Sequence, residues 1–164
     1  AIYNNSTSPR YSHVTVNVSP GVETNGIKNN TASPILAGVT ISVAGGGQGF
    51  NNQYSSLTLT DVWISAAGVG MGNYESSIRI NNSVIGGSGT SLGIANQASS
   101  GAFTITINNS RIAGTSNTIS NDPRYATFVG ASQLSGGAVT GGGTLTCVGV
   151  YDENYGSAGY TTCP

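Results

Sequence analysis

Gly26-Ile27-Lys28-Asn29-Asn30-Thr31-Ala32-Ser33-Pro34 nearly repeats Ala1-Ile2-Tyr3-Asn4-Asn5-Ser6-Thr7-Ser8-Pro9, and the heart of that pattern, an apolar residue two positions before an asparagine, returns along most of the chain. It reads Ile2-Tyr3-Asn4, Ile27-Lys28-Asn29, Phe50-Asn51-Asn52, Met71-Gly72-Asn73, Ile94-Ala95-Asn96 and Ile119-Ser120-Asn121. The apolar anchors are 25, 23, 21, 23 and 25 residues apart, a spacing that marks a repeat architecture. In five units a serine follows the asparagine by four positions (Ser8, Ser33, Ser56, Ser77, Ser100), and the sixth departs with Tyr125.

Working outward, each unit carries further runs of period two, which put one face inward and one outward. Leu57-Thr58-Leu59, Ile78-Arg79-Ile80 and Ile105-Thr106-Ile107 form one family, and Val14-Thr15-Val16, Val39-Thr40-Ile41 and Val62-Trp63-Ile64 another, continued by Val84-Ile85 and Arg111-Ile112. Three short strands per unit, separated by Asn, Ser and Gly turns, predict an all-β parallel β-helix. Stacked at the strand spacing of about 4.8 Å, the anchors form apolar columns and the whole a rod roughly 30 Å long. Asn4, Asn29, Asn52, Asn73, Asn96 and Asn121 share the anchors' parity, so they are expected inside, as a structural ladder of side-chain amides. Length variation falls after the third run, at residues 19–24, 44–48 and 86–91, in Gly-rich segments that suit spacers better than binding loops.

Composition agrees with this reading. Ser 22, Thr 18, Asn 17 and Gly 25 make up half of the 164 residues, all weak helix formers. Lys+Arg 5 against Asp+Glu 6, a net charge of −1, gives no basic field for nucleic acid or an anionic membrane. No apolar run of about 18 residues predicts a bilayer span. No charged segment followed by an apolar run opens the sequence, so any signal peptide is expected to have been removed or to lie outside this piece. Cys147 and Cys163 are expected to form a disulfide, worth roughly 3 kcal/mol for a loop of that size, which fits an oxidising, extracellular setting; the alternative is two buried free thiols.

Residues 1–9 and 26–34, with repeats close to Gly-Ile-Tyr-Asn-Asn-Ser-x-Ser-Pro, resemble bacterial parallel β-helix proteins of the pectin lyase-like superfamily. Residues 129–137, then Cys147-Val148-Gly149-Val150-Tyr151-Asp152-Glu153-Asn154-Tyr155 and Cys163-Pro164, look like the C-terminal end of uncharacterised members. The resemblance implies a right-handed parallel β-helix of six to seven coils, with coils over 1–134 and a C-terminal coil and cap over 135–164. It does not imply one activity, since that superfamily includes lyases, esterases, tailspikes, adhesins and structural modules.

Enzymes on such a fold gather carboxylates with Arg or Lys on one outer sheet. Here Glu23, Glu75, Asp61, Asp122, Asp152 and Glu153 fall in different units and columns, and His13 has no recognisable partners. Asp122 with Arg124, and Asp61 near Trp63, are the pairs that chemistry would need, and each reads better as a turn or ladder position. Asn-x-Ser/Thr matches at Asn5, Asn17, Asn29, Asn81 and Asn108 come almost free in this composition. The expectation is therefore a non-enzymatic, extracellular structural protein with no cofactor and no metal. Ala1 starts directly on the first-strand pattern without an amphipathic cap, so the partner expected is another turn: a second copy stacked head to tail in a fibre, or the continuation of a longer β-helix. The alternative is a polysaccharide-binding or polysaccharide-degrading module, with Trp63, Tyr54 and Tyr74 as glycan contacts.

Overall fold

The computed structural model describes residues 1–21, 25–86, 89–156 and 163. Glu23 and part of the 86–91 segment lie outside the described residues. The chain is all-β, a parallel β-solenoid of about six turns. The first turn consists of β1 (Ile2–Asn5), β2 (Arg10–Ser12) and β3 (Thr15–Val18), and the second of β4 (Asn25–Asn30), β5 (Ile35–Ala37) and β6 (Thr40–Val43). The third holds β7 (Gln48–Gln53), β8 (Ser56–Thr60) and β9 (Trp63–Ala66), and the fourth β10 (Val69–Tyr74), β11 (Ser77–Asn81) and the short β12 (Val84–Ile85).

From the fifth turn onward the third strand of one turn runs straight into the first strand of the next. After β13 (Leu92–Gln97) and β14 (Phe103–Asn108), β15 (Arg111–Asn121) serves both roles, and after β16 (Tyr125–Gly130) so does β17 (Gln133–Gly141), which passes through the junction at 134/135. β18 (Thr144–Val148) and the bridge between Tyr151 and Gln133 make a reduced last turn. All described pairings are parallel, and the middle strands form a sheet of their own in the order β18-β16-β14-β11-β8-β5-β2. The first and third strands merge into one sheet through β15, because the Gly-rich spacers of the earlier turns are absent there.

Register follows the repeat. Ile2 pairs Ile27, Ile27 pairs Phe50, Phe50 pairs Met71, Met71 pairs Ile94 and Ile94 pairs Ile119. From Ile27 to Ile119 each anchor is completely buried. The alternating runs supply the rest of the core: Leu57, Ile78 and Ile105 in one column, Leu36, Leu59, Ile80, Ile107 and Val129 in a second, Ile41, Ile64, Ile85 and Ile112 in a third. Burying each of these side chains contributes about 1.5–3 kcal/mol, which offsets the low helix and strand propensity of the Gly- and Asn-rich remainder.

Two backbone columns shape the corners. Gly26, Gly49 and Gly70 precede the anchors where the third strand comes closest, and a Cβ on them would lie 2.6, 2.7 and 2.6 Å from the carbonyl oxygen of the glycine one turn on. Only glycine fits that approach. At the corner after the middle strand, His13, Gly38, Asp61, Asn82, Asn109, Ala131 and Gly149 all take left-handed φ values, between 44° and 63°. Gly, Asn and Asp tolerate that region best, whereas a side chain such as alanine costs about 1 kcal/mol. We expect Gly38→Ala to destabilise the fold by about 1 kcal/mol and Ala131→Gly, at an exposed site, to stabilise it by a similar amount. Denaturant midpoints at constant m-value check both.

Candidate functional site

Polar residues occupy the interior as columns, and the asparagines form the longest. Asn4 Nδ2 donates to Asn29 Oδ1 at 2.7 Å and Asn29 Nδ2 to Asn52 Oδ1 at 3.1 Å. Asn73 Nδ2 donates to Asn96 Oδ1 at 2.8 Å and Asn96 Nδ2 to Asn121 Oδ1 at 2.7 Å. All six are buried. The expected ladder exists in two segments: between them Asn52 Nδ2 and Asn73 Oδ1 are buried without a hydrogen-bond partner. At the upper end Tyr11, standing where later turns carry a core aliphatic, donates its hydroxyl to Asn4 Oδ1 at 2.6 Å. At the lower end Thr127 donates to Asn121 Oδ1, while the next turn offers only Gly141 at the asparagine position and Asn121 Nδ2 has no partner.

Serines satisfy the backbone at two of the corners, in columns that the asparagine-plus-four spacing only partly exposed. The plus-four serines do link turns: Ser33 N–H donates to Ser8 Oγ, Ser56 N–H to Ser33 Oγ and Thr104 N–H to Ser77 Oγ, at 3.1–3.2 Å. A second column runs in the opposite sense, with Ala32 N–H donating to Ser55 Oγ and Ser55 N–H to Ser76 Oγ. A third, at the corner after the middle strand, joins Val62 N–H to Ser83 Oγ, Ser83 N–H to Ser110 Oγ and Ser110 N–H to Ser132 Oγ. Each of those three hydroxyls donates to a carbonyl two residues upstream, at 2.7 Å. Their signal was present in Asn81-Asn82-Ser83 and Asn108-Asn109-Ser110, where an asparagine, suited to positive φ, precedes the serine, and was weaker in Gly130-Ala131-Ser132.

Tyr125, the departure from the serine pattern, reaches past the enlarged corner at 98–102. Its buried hydroxyl accepts the Ser76 N–H at 3.1 Å, its ring lies 5.4 Å from that of Phe103, and burial pushes the phenol up to about 12. Beside it Glu75 Oε1 accepts four hydrogen bonds, from the N–H and hydroxyl groups of Ser99 and Ser100, at 2.5–3.3 Å. The Ser99 hydroxyl, more than the backbone donors, holds that exposed carboxyl below its ordinary value.

On the outside, the glycan candidates divide. Tyr54 and Tyr74 meet edge to face with ring centroids 5.3 Å apart at the first corner, and Tyr74 donates onward to Ser99. Trp63 is exposed but opens the third strand β9, beyond the middle strand β8, so it does not share their strip. Next to Tyr74 a shallow groove of about 350 Å³ crosses the first-strand face, floored by Gly72 and Ala95 and edged by Gln48, Asn51, Gln53 and Gln97. Gln48 Oε1 is buried over Gly72 without a hydrogen-bond partner. Glu23 lies outside the described residues, and Asp122, Asp152 and Glu153 each have their own partners. Asp122 pairs with Arg124 at 3.5 Å, Asp152 accepts the N–H groups of Asn154 and Gly156, and Glu153 accepts the N–H of Gly136. His13 sits at a left-handed corner against Ser12, its Nδ1 2.7 Å from that hydroxyl. Among the described residues no group of three or more His, Cys, Asp or Glu is placed to hold a metal ion. Cys147 and Cys163 are disulfide-bonded, with Cα atoms 5.6 Å apart. No protein-family profile and no curated protein matches the chain.

The interrupted ladder gives unequal substitutions. Asn96→Ala removes two hydrogen bonds and leaves Asn73 Nδ2 and Asn121 Oδ1 short of a partner, whereas Asn52→Ala removes one. With similar cavities, Asn96→Ala should cost more by about 1 kcal/mol in urea unfolding. Glu75 sets an acid limb: a carboxyl with a lowered folded pKa stabilises fully above its unfolded value of 4.5, and that stabilisation fades as pH falls through the lower folded value. Glu75→Gln should therefore flatten the fall of the urea midpoint below about pH 5. An unchanged slope would assign the acid limb to other carboxylates.

Proposed function

We propose that this chain is an extracellular structural β-solenoid, a segment of a surface fibre, of the pectin lyase-like type that its repeats resemble. The observation that carries the reading is the open edge of the first turn. Ile2, Tyr11 and Val14 belong to columns that are fully buried in the second through fifth turns, yet they are only half-buried where, among the described residues, β1–β3 have no strand on their outer side. Such an edge is a template for a further parallel turn, supplied by a second copy or by the same polypeptide. The interior supports the same reading, since its asparagines and serines face other turns and present nothing to a substrate. The Cys147–Cys163 disulfide supports an oxidising compartment.

A second reading rests on the first-strand groove. Four amide side chains, a flanking tyrosine and an unpartnered Gln48 oxygen suit the hydroxyl groups of a neutral glycan. It predicts retention on a glycan array that Gln48→Ala and Tyr74→Ala both weaken.

The fibre reading is tested by immunogold labelling of intact producing cells with antibody to this chain. Gold along thin appendages is expected. Labelling only after lysis would overturn the reading.

A further inference from the structure

Three outward columns cross the first-strand sheet between the third and fifth turns, and their residue types give the groove beside Tyr74 two unlike walls. Gln48, Val69 and Leu92 are partners in register along one edge, Asn51, Gly72 and Ala95 along the middle, and Gln53, Tyr74 and Gln97 along the other edge. In the fourth and fifth turns the middle column shrinks to Gly72 and Ala95, so a trench opens there between Val69 and Leu92 on one side and amides with a phenol on the other. Gln48 reaches across Gly72, where a Cβ would stand 2.7 Å from Gln48 Oε1. That oxygen is buried without a hydrogen-bond partner. The opposite wall is fixed, because the Tyr74 ring meets Tyr54 edge to face and its hydroxyl donates to Ser99 Oγ at 3.0 Å. Among the described residues no charged side chain lines the groove: Lys28, two turns away in the middle column, sits over the Tyr3 ring, and Glu75 is held by Ser99 and Ser100.

We infer that this groove takes the acetamido group of an N-acetylated amino sugar, with the methyl against Val69 and Leu92 and the N–H given to Gln48 Oε1. The inference rests on the glycan reading above and narrows it to one class of sugar. A planar trans amide carries its N–H and its methyl side by side on one edge and its carbonyl on the other. The groove has the matching layout: the acceptor Gln48 and the apolar Val69 are neighbours on one wall, one turn apart, and the amide donors of Gln53 and Gln97 stand on the opposite wall.

The unpaired oxygen supplies the drive. Leaving a buried acceptor unmade is costly, so a ligand that brings a donor recovers an interaction the free protein lacks. Gln48 as a residue is only half-buried and Gly72 has no Cβ to obstruct it, so rotation about its own side-chain torsions turns Oε1 into the groove. A sugar hydroxyl could also donate there, but it sets no carbon against the apolar wall. A volume of about 350 Å³ is near the lower end for small-ligand sites and suits one sugar ring with its substituent, the ring's C–H face lying against Tyr74.

NMR titration of the full chain with N-acetylglucosamine, glucose and the 6-deoxy sugar fucose, each alone, tests the assignment. N-acetylglucosamine should bind at least about tenfold more tightly than glucose, with saturation passing from the protein chiefly to its acetyl methyl protons. Gln48→Ala should weaken that binding by about tenfold, and Gln48→Glu, which keeps an acceptor, should restore most of it. Gly72→Ala, whose Cβ meets only the flexible end of Gln48, should abolish binding while the far-ultraviolet dichroism stays that of the wild type; if that variant fails to fold, the two Gln48 variants decide. Equal binding of N-acetylglucosamine and glucose, or tighter binding of fucose, would overturn the acetamido assignment and leave the glycan reading standing. Binding unchanged by Gln48→Ala would put the sugar elsewhere and overturn it too. No binding to these sugars or to a glycan array would overturn the assignment and the glycan reading together.

Discussion

Each interior side chain in a parallel solenoid meets its own counterpart one turn above and one turn below, about 4.8 Å away, and everything else in this structure follows from that requirement. Apolar residues meet it without condition, and the anchors from Ile27 to Ile119 form a dry column. Among polar side chains, asparagine meets it because one amide carries both a donor and an acceptor, so that a stack of identical residues can pair in a single direction. Serine meets it differently, by donating to its own turn and accepting from the neighbouring backbone. A charged side chain in such a column would face its own sign. The scarcity of charge is thus a property of the architecture as well as of the surface.

The same requirement explains where the repeat changes. Ladders need ends, and both ends here are dressed by residues that break their columns: Tyr11 replaces an aliphatic to reach Asn4, and Thr127 replaces one to reach Asn121. Where a corner grows, at 98–102, the serine column is interrupted and a long side chain, Tyr125, spans the gap to Ser76. The half-buried Glu75 accepts from the remaining donors of that enlarged corner. Departures from the pattern are therefore repairs to coil-to-coil bonding.

Much of this was legible in the sequence because the repeat is periodic in both residue type and parity. The anchors and the inward asparagines could be placed from spacing and parity, whereas the Cys147–Cys163 bond was an expectation held beside two free thiols. The serine columns at Ser83, Ser110 and Ser132 were harder to read, because Asn-Asn-Ser in so polar a chain looks like composition, and its meaning depends on a left-handed corner that only the fold reveals. The gap between Asn52 and Asn73 was invisible for a different reason: identical residues at the correct spacing do not report whether their amides meet. Trp63, Tyr54 and Tyr74 shared no column in the sequence, and the middle strand keeps Trp63 apart from the two tyrosines. The groove at Gln48 and Gly72 was hidden because small residues leave no signal of the space they create.

The directional asparagine ladder is the feature on which the interior rests, and side-chain amide hydrogen exchange followed by NMR reports it residue by residue. Protected Nδ2 protons at Asn4, Asn29, Asn73 and Asn96, with faster exchange at Asn52 and Asn121, are expected from the two bonded segments. Equally fast exchange at all six would contradict a ladder that holds the turns together.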